Sequence, residues 1–260
     1  MGVVNVTPDS FSDGGRFLDP KAAVAHAHAL LDEGADILDI GAESSRPGAR
    51  GVSAEEELSR LMPVLEALRD CPVPISVDTV KPEVMRAAIA AGASMINDIT
   101  ALRSPGALET VAASDAGVCL MHMQGEPRTM QQSPSYADVV AEVGEFLAER
   151  GAAAETAGIA RERIAIDPGF GFGKTLAHNF ELLANLGRFA ATGLPVIAGW
   201  SRKSTLGAIT GRAADDRLAA SLAAALLAVE RGATIVRVHD VAATRDALAV
   251  LQALTKKGSA

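Results

Sequence analysis

The chain has 260 residues, 48% hydrophobic, 22% charged and 3% aromatic, with 24 Gly, 12 Pro and a formal net charge of -8. That much apolar mass supports a substantial core and excludes both intrinsic disorder and a small scaffold stapled by disulfides. The acidic balance argues against an extended nucleic-acid surface, and the longest apolar stretch, Leu218 to Val229, is interrupted by Ser221 and too short to span a bilayer.

Short β-branched runs recur between longer helical stretches. In chain order they are Gly2 to Val6, Ile37 to Ile40, Ile75 to Val77, Met95 to Asn97, Val118 to Met121, Ile164 to Ile166, Val196 to Ala198 and Ile235 to Val238. Their spacing averages about 33 residues, the length of a strand-plus-helix unit. Eight such units predict a closed (β/α)8 TIM barrel in one domain over residues 1–260, with an open doubly wound sheet as the alternative.

The segments between the runs carry helix signals. Pro20 to Asp32 and Pro82 to Ala91 each begin with Pro, which suits a first turn whose N–H has no partner. Gly34, Gly92, Gly117 and Gly232 each precede a strand and are expected as left-handed stops. Ser53 followed by Glu56 predicts a capping box. Met1 leads straight into the first run with no basic leader, so the cytoplasm is the expected location. Cys71 and Cys119, lacking CxxC or Cys/His spacing, are expected to be buried, reduced thiols.

A barrel enzyme builds its site at the carboxyl ends of its strands. Those positions hold Asn5; Glu43, Ser45 and Arg46; Asp78; Asn97 and Asp98; His122; Asp167; Ser201, Arg202, Lys203 and Ser204; and Arg237, His239 and Asp240. Asp78, Asn97 and Asp167 offer acceptors and an amide fork suited to a flat heterocycle rich in N–H groups, with Lys203 as a donor. Arg46, Arg237 and His239 offer cationic donors for a phosphate or pyrophosphate, and the period of two puts Arg237 and His239 on one strand face. The competing reading pairs Arg237 internally with Asp240 or Asp36. His122 is read as orienting or packing, and His26, His28 and His178 as surface or packing residues.

Three further segments bear on ligands. Residues 167–175, DPGFGFGKT, miss the P-loop spacing because Pro168 stands where its first Gly belongs. Their glycines are expected to allow close backbone approach to a ligand, with Phe170 or Phe172 as an apolar wall. Ser201 to Ser204 opens a helix whose free N–H groups suit an anion such as a carboxylate. The loop from Asn5 to Gly15 offers Asn5 and Asp13 to Mg²⁺, with ordinary turn chemistry as the competitor. That loop and the one from Ser44 to Gly51 are expected to act as lids over one mouth.

Eight blocks in order, NVTPDSFSDGG, DIGAESSRPGA, ISVDTVKPEVM, INDI, MHMQGEPRTMQ, DPGFGFGK, SRKS and RVHD, resemble the dihydropteroate synthase family. The resemblance implies a barrel that condenses 6-hydroxymethyl-7,8-dihydropterin pyrophosphate with 4-aminobenzoate, releasing pyrophosphate and giving 7,8-dihydropteroate, and that is a target of sulfonamides. It implies that Asp78, Asn97, Asp167 and Lys203 hold the pterin, with Met121 and Gly171 beside them. Arg237, His239 and Asn5 would engage the pyrophosphate, with Mg²⁺ on Asn5 and Asp13. Aminobenzoate would lie near Ser45, Arg46, Pro47 and Phe172 with its carboxylate at Ser204. A homodimer through barrel helices is implied as well. Ser45 stands where the family usually carries Thr, which is expected only to loosen the aminobenzoate wall. A pterin-binding methyltransferase and a pterin binder without turnover are the alternative functions.

Overall fold

The computed structural model describes residues 1–7, 20–45 and 48–257, without the side chains of 255–257. All eight predicted strands form: β1 (Gly2–Asn5), β2 (Leu38–Gly41), β3 (Ile75–Asp78), β4 (Met95–Asp98), β5 (Gly117–Met121), β6 (Ile164–Asp167), β7 (Ile197–Ala198) and β8 (Ile235–Val236). β1 to β6 pair in chain order and in parallel, and β7 pairs with β8 in parallel. Parallel bridges between Ile166 and Val196 and between Gly2 and Val238 join the two pieces into a ring. The Val3 amide reaches the Val238 carbonyl at 3.0 Å and the Val238 amide reaches the Met1 carbonyl at 2.9 Å, so β8 closes on β1. The structure is the predicted barrel, not the open sheet.

Helices alternate with the strands: α1 (Pro20–Asp32), α2 (Ala54–Ala67), α3 (Pro82–Ala90), α4 (Ala107–Ala112), α5 (Val139–Thr156), α6 (Leu176–Ala184), α7 (Leu186–Ala190), α8 (Ser204–Thr210), α9 (Leu218–Glu230) and α10 (Val241–Lys257). Among the described residues no helix is long and apolar enough to cross a membrane. Ser53 caps α2, its hydroxyl accepting the Glu56 amide at 3.1 Å. The expected box is one-sided, because the Glu56 carboxylate turns to Arg60 instead of back to Ser53. A reciprocal box forms instead at Thr175 and His178, ahead of α6. Gly34, Gly92 and Gly232 have positive φ as expected. Gly117 does not act as a stop; it is the first residue of β5, where a Cβ would stand 3.3 Å from the Arg163 carbonyl oxygen.

Strand residues alternate between two apolar environments. Val4, Ile40, Val77, Ile96, Val118 and Leu120 face outward onto Ala23, Ala27, Leu30, Leu61, Leu65, Val84 and Met85 of the helices. Each fully buried Leu there contributes about 1.5–3 kcal/mol. The inward set begins with Met1, Cys119, Ala165 and Ile197 against Ile37, Met95 and Ile235, an apolar plug at the amino ends of the strands. Cys71 and Cys119 are both free thiols, but only Cys119 is buried as expected, Cys71 being half-buried just after α2. The register then sets Asn5 beside Gly41, Gly41 beside Asp78 and Asp78 beside Asn97, so the polar strand ends share one level of the lumen.

Candidate active site

The charged layer above the plug begins with Asp39, buried between Leu38 and Ile40 on β2. A lone carboxylate in that position would be costly, and the chain beyond β8 supplies its partner. Arg237 donates through Nε to Asp39 Oδ2 at 2.6 Å and through a terminal nitrogen to Asp78 Oδ2 at 3.1 Å. Asn97 Nδ2 donates to the same Asp39 oxygen at 3.3 Å. β2, β4 and β8 are not neighbours in the ring, so these bonds cross the lumen and lock three sides of it together. Burial pushes the Asp78 carboxyl up to about 7 against the pull of Arg237. Burial also opposes charge on Arg237, but Asp39 and Asp78 outweigh it and raise its pKa.

One sequence reading changes here. The competing reading held that Arg237 is paired internally, and it is, but with Asp39 and Asp78. Asp240 instead takes Arg202 at 2.7 Å and Asp36 takes Arg245 at 3.3 Å. Its guanidinium thereby also borders the set that includes Asp78 and Asn97. Asp39 was absent from the candidates. Its signal was a charged residue inside an apolar strand, matched by Arg237 between Val236 and Val238.

Asp167 ends β6 on the opposite wall. Its Oδ1 accepts the Gly169 amide at 2.7 Å; burial raises its pKa, opposed by that amide and by Lys203, Lys174 and Arg237. Lys203 caps α8 through its backbone position while its side chain turns inward, donating to the Phe170 carbonyl. Its Nζ also lies 4.3 Å from the Phe172 ring centroid. Burial lowers the Lys203 pKa to about 8, with Asp167 pulling the other way. Of the two candidate aromatic walls, Phe172 packs against a cluster containing Ile99, Met121, Met123 and Met130, beside Lys203. Phe170 is buried instead against Trp200, with ring centroids 4.6 Å apart.

The glycines of residues 167–175 also allow a close approach within the protein itself. A Cβ on Gly169 would stand 1.9 Å from the His122 carbonyl oxygen, and one on Gly173 would stand 2.4 Å from that of Gln124. With φ of +71° and +60°, they press the β6–α6 loop onto the β5–α5 loop. Lys174, not a sequence candidate, fastens the two. Its buried Nζ meets His122 Nδ1 at 2.9 Å and the Gly169 and Phe172 carbonyls at 3.0 and 2.9 Å. Burial lowers Lys174 to about 7, and burial together with Lys174 lowers His122 to about 3. His122, its charged form disfavoured, holds Lys174 through Nδ1 and packs edge-on against Phe146 with ring centroids 4.9 Å apart. Gly171 touches the site directly, since a Cβ there would meet Lys203 Cδ at 2.9 Å.

Asp98 proves to be a turn residue. Its carboxylate takes the Thr100 amide and hydroxyl at 2.7 Å and the Leu102 amide at 2.8 Å, beneath Ala101 and Leu102 with φ of +55° and +57°. His239 follows β8, with Nδ1 3.0 Å from Ser201 Oγ. Ser204 is exposed at the first position of α8, and Ser45 is half-buried in the β2–α2 loop. Asp13, Arg46 and Pro47 lie outside the described residues, as do residues 8–15 of the Asn5–Gly15 loop that was expected to act as a lid.

Among the described residues no cluster of three or more His, Cys, Asp or Glu is arranged to hold a metal ion. Asn5 fits a narrower role. It is a half-buried carboxamide at the end of β1, level with Gly41 and Asp78, and Mg²⁺ needs only one or two protein oxygens when substrate phosphates complete its shell. A groove of about 500 Å³ runs along α5 past Gly144, Ala148 and Phe189, outside the barrel and remote from these groups.

The pterin binding enzyme family model matches residues 1–239. The chain is 52% identical over 254 residues to dihydropteroate synthase of Escherichia coli strain K12, covering 97% of this chain and 90% of that protein. It resembles the solved structure of Xanthomonas albilineans dihydropteroate synthase with 4-aminobenzoic acid, with a TM-score of 0.92 and 58% identity over 98% of this chain and 92% of that one. The same enzyme in complex with 7,8-dihydropteroate matches with a TM-score of 0.88 and 56% identity, at the same coverage.

Proposed function

Because the chain belongs to the pterin binding enzyme family, we propose that it condenses 6-hydroxymethyl-7,8-dihydropterin pyrophosphate with 4-aminobenzoate to give 7,8-dihydropteroate and pyrophosphate. The observation that carries this reading is the convergence of Asp78, Asn97, Asp167 and Lys203 on one lumen, above a layer locked by Asp39 and Arg237. Two carboxyls raised in pKa by burial, an amide fork and an ammonium form a donor and acceptor set suited to a flat ring edge.

In this reading Asp167 and Asn97 accept and orient the ring N–H groups, and Lys203 donates to the ring carbonyl or a ring nitrogen. Phe172 and Met121 supply the apolar side. The pyrophosphate lies over Arg237 and His239, whose N–H donors absorb charge as the C–O bond breaks. The electron pair leaves with the pyrophosphate. The pterin methylene becomes cationic through conjugation with the ring, and the neutral amine of aminobenzoate attacks it and loses a proton. Asn5 and Asp13 would hold Mg²⁺, which when bound supplies charge neutralisation for the leaving group. Ser45, Arg46, Pro47 and Ser204 are assigned to the aminobenzoate. We also propose a homodimer. Leu176 and Phe180 on α6, Ile209 on α8 and Leu218 and Leu227 on α9 are exposed large apolar side chains, and light scattering tests that assignment.

The test of function is pyrophosphate release with and without 4-aminobenzoate, following dihydropteroate by chromatography. Stoichiometric dihydropteroate, lost in Asp167→Ala and Lys203→Ala, supports the synthase. Tight pterin binding without product moves the function to a methyltransferase or a binder without turnover. Pyrophosphate release without aminobenzoate, with solvent oxygen in the hydroxymethyl product, supports departure before attack; strict dependence on aminobenzoate counts against it.

A further inference from the structure

We infer that Lys81 is a positioning residue for the β2–α2 loop, its ammonium tying Glu43 of that loop to the buried Glu57 of α2 and thereby setting how Ser45 is presented to the carboxylated aromatic amine. The inference rests on the aminobenzoate reading above for its substrate, and on the following geometry for its existence. Lys81 immediately precedes Pro82 at the start of α3, and its Nζ donates to Glu43 Oε2 and, at 2.6 Å, to Glu57 Oε2.

Glu57 lies in the first turn of α2 with no exposed surface, and its other oxygen, Oε1, is buried without a hydrogen-bond partner. A buried carboxylate costs free energy unless it is paired, and truncating its partner is more costly still. A packed hydrophobic residue at 57 would hold the helix at lower cost. The carboxylate instead gives Lys81 a fixed anchor, from which the ammonium reaches the loop.

At the loop, Glu43 uses both oxygens. Oε2 faces Lys81, while Oε1 accepts the Val52 amide at 3.2 Å, so one side chain closes the loop across nine residues. Gly51 leaves room for it, because a Cβ there would stand 3.0 Å from Oε1. Arg60 adds a bond from α2 to the Ala42 carbonyl at 3.0 Å. The stem next to Ser45 is thus held from α2 and from the start of α3. Burial opposes charge on Lys81, but its bonds to Glu43 and Glu57 outweigh this and raise its pKa, so the tie persists through neutral pH.

Lys81→Met would leave Glu57 buried and unpaired and would test folding as much as the loop. Glu43→Gln is therefore the decisive variant: it keeps the size of the side chain and an acceptor for Val52, and leaves Lys81 on Glu57. Steady-state kinetics with both substrates, melting temperature and amide exchange at Val52 are measured on the wild type, Glu43→Gln and Lys81→Arg. The expected result for Glu43→Gln is a KM for 4-aminobenzoate raised about five- to tenfold, with the KM for the pterin pyrophosphate and kcat within about twofold, faster exchange at Val52 and little change in melting. Lys81→Arg, which keeps the charge, should stay near wild type. Equal rises in both KM values, or an unchanged aminobenzoate KM in a wild type that makes dihydropteroate, would overturn the tie while leaving the synthase reading intact. A wild type that makes no dihydropteroate overturns the substrate assignment; Val52 exchange then decides the tie alone, faster exchange in Glu43→Gln supporting it and unchanged exchange refuting it.

Discussion

Replacing Asp39 by Asn isolates the electrostatic value of the layer beneath the proposed pterin site. Asp and Asn have nearly the same volume, so no cavity forms and the packing contribution of a large-to-small change is absent. What is lost is the charge opposite Arg237 Nε, 2.6 Å from Asp39 Oδ2. A hydrogen bond to a charged group contributes about 1.5–3 kcal/mol, and breaking a buried ion pair costs about 3–5 kcal/mol. Arg237 keeps Asp78 at 3.1 Å, so we expect the lower end, about 2–3 kcal/mol. For a domain of this size each kcal/mol moves the melting temperature by about 2–4 °C, giving a fall of about 4–12 °C in a calorimetric or fluorescence melt. Asp36→Asn is the internal control: Asp36 also pairs with an arginine, Arg245, at 3.3 Å, but its side chain is 84% exposed, and such pairs contribute about 0–1 kcal/mol. If Asp39→Asn melts no lower than Asp36→Asn, the assignment of Arg237 to a buried, stabilising charged layer is refuted.

Three further outcomes follow from the same geometry. Gly169→Ala places a Cβ 1.9 Å from a backbone oxygen at φ +71° and should lower folding yield and melting severely. Gly171→Ala, at φ +80°, shares the backbone strain but meets only the flexible Lys203 side chain at 2.9 Å, so it should melt less low than Gly169→Ala and raise the KM for the pterin substrate; equal melting losses in the two would show that the backbone clash is not the constraint. The alkaline limb of kcat/KM should fall near pH 8, as Lys203 loses its proton, and Lys203→Arg should move the limb upward in whatever activity remains. Asp78 is raised from 3.8 to about 7 by burial. The folded state therefore binds more protons than the unfolded between those values, and Asp78's contribution to stability is lost as pH rises through that window. Denaturant titrations of wild type against Asp78→Asn should show this contribution disappear in the variant, and an identical pH dependence in both would refute the shift.

What was legible along the chain was whatever depends on near neighbours. Short β-branched runs recurring about every 33 residues, the length of a strand-plus-helix unit, located eight strands. Pro20 and Pro82 marked helix starts because a first-turn N–H needs no partner. Looking at strand ends singled out Asp78, Asn97, Asp167 and Lys203, which the barrel brings to one lumen, but the period of two could not relate Arg237 to His239, because β8 ends at Val236 and the two side chains take different partners. The resemblance carried by eight ordered blocks then agreed with the family match.

Only the tertiary structure decided which groups meet. Arg237 finds Asp39 across 198 residues of sequence, a pairing created by closure of β8 onto β1, and local periodicity carries no information about it. The same holds for Lys174 against His122, for the backbone of the β5–α5 loop that Gly169 and Gly173 accommodate, and for Phe172 meeting Lys203 while Phe170 packs on Trp200. Sequence determines a side chain's chemistry and which face of its own element it takes. Ring closure determines its neighbours, and the neighbours set its charge state and its role.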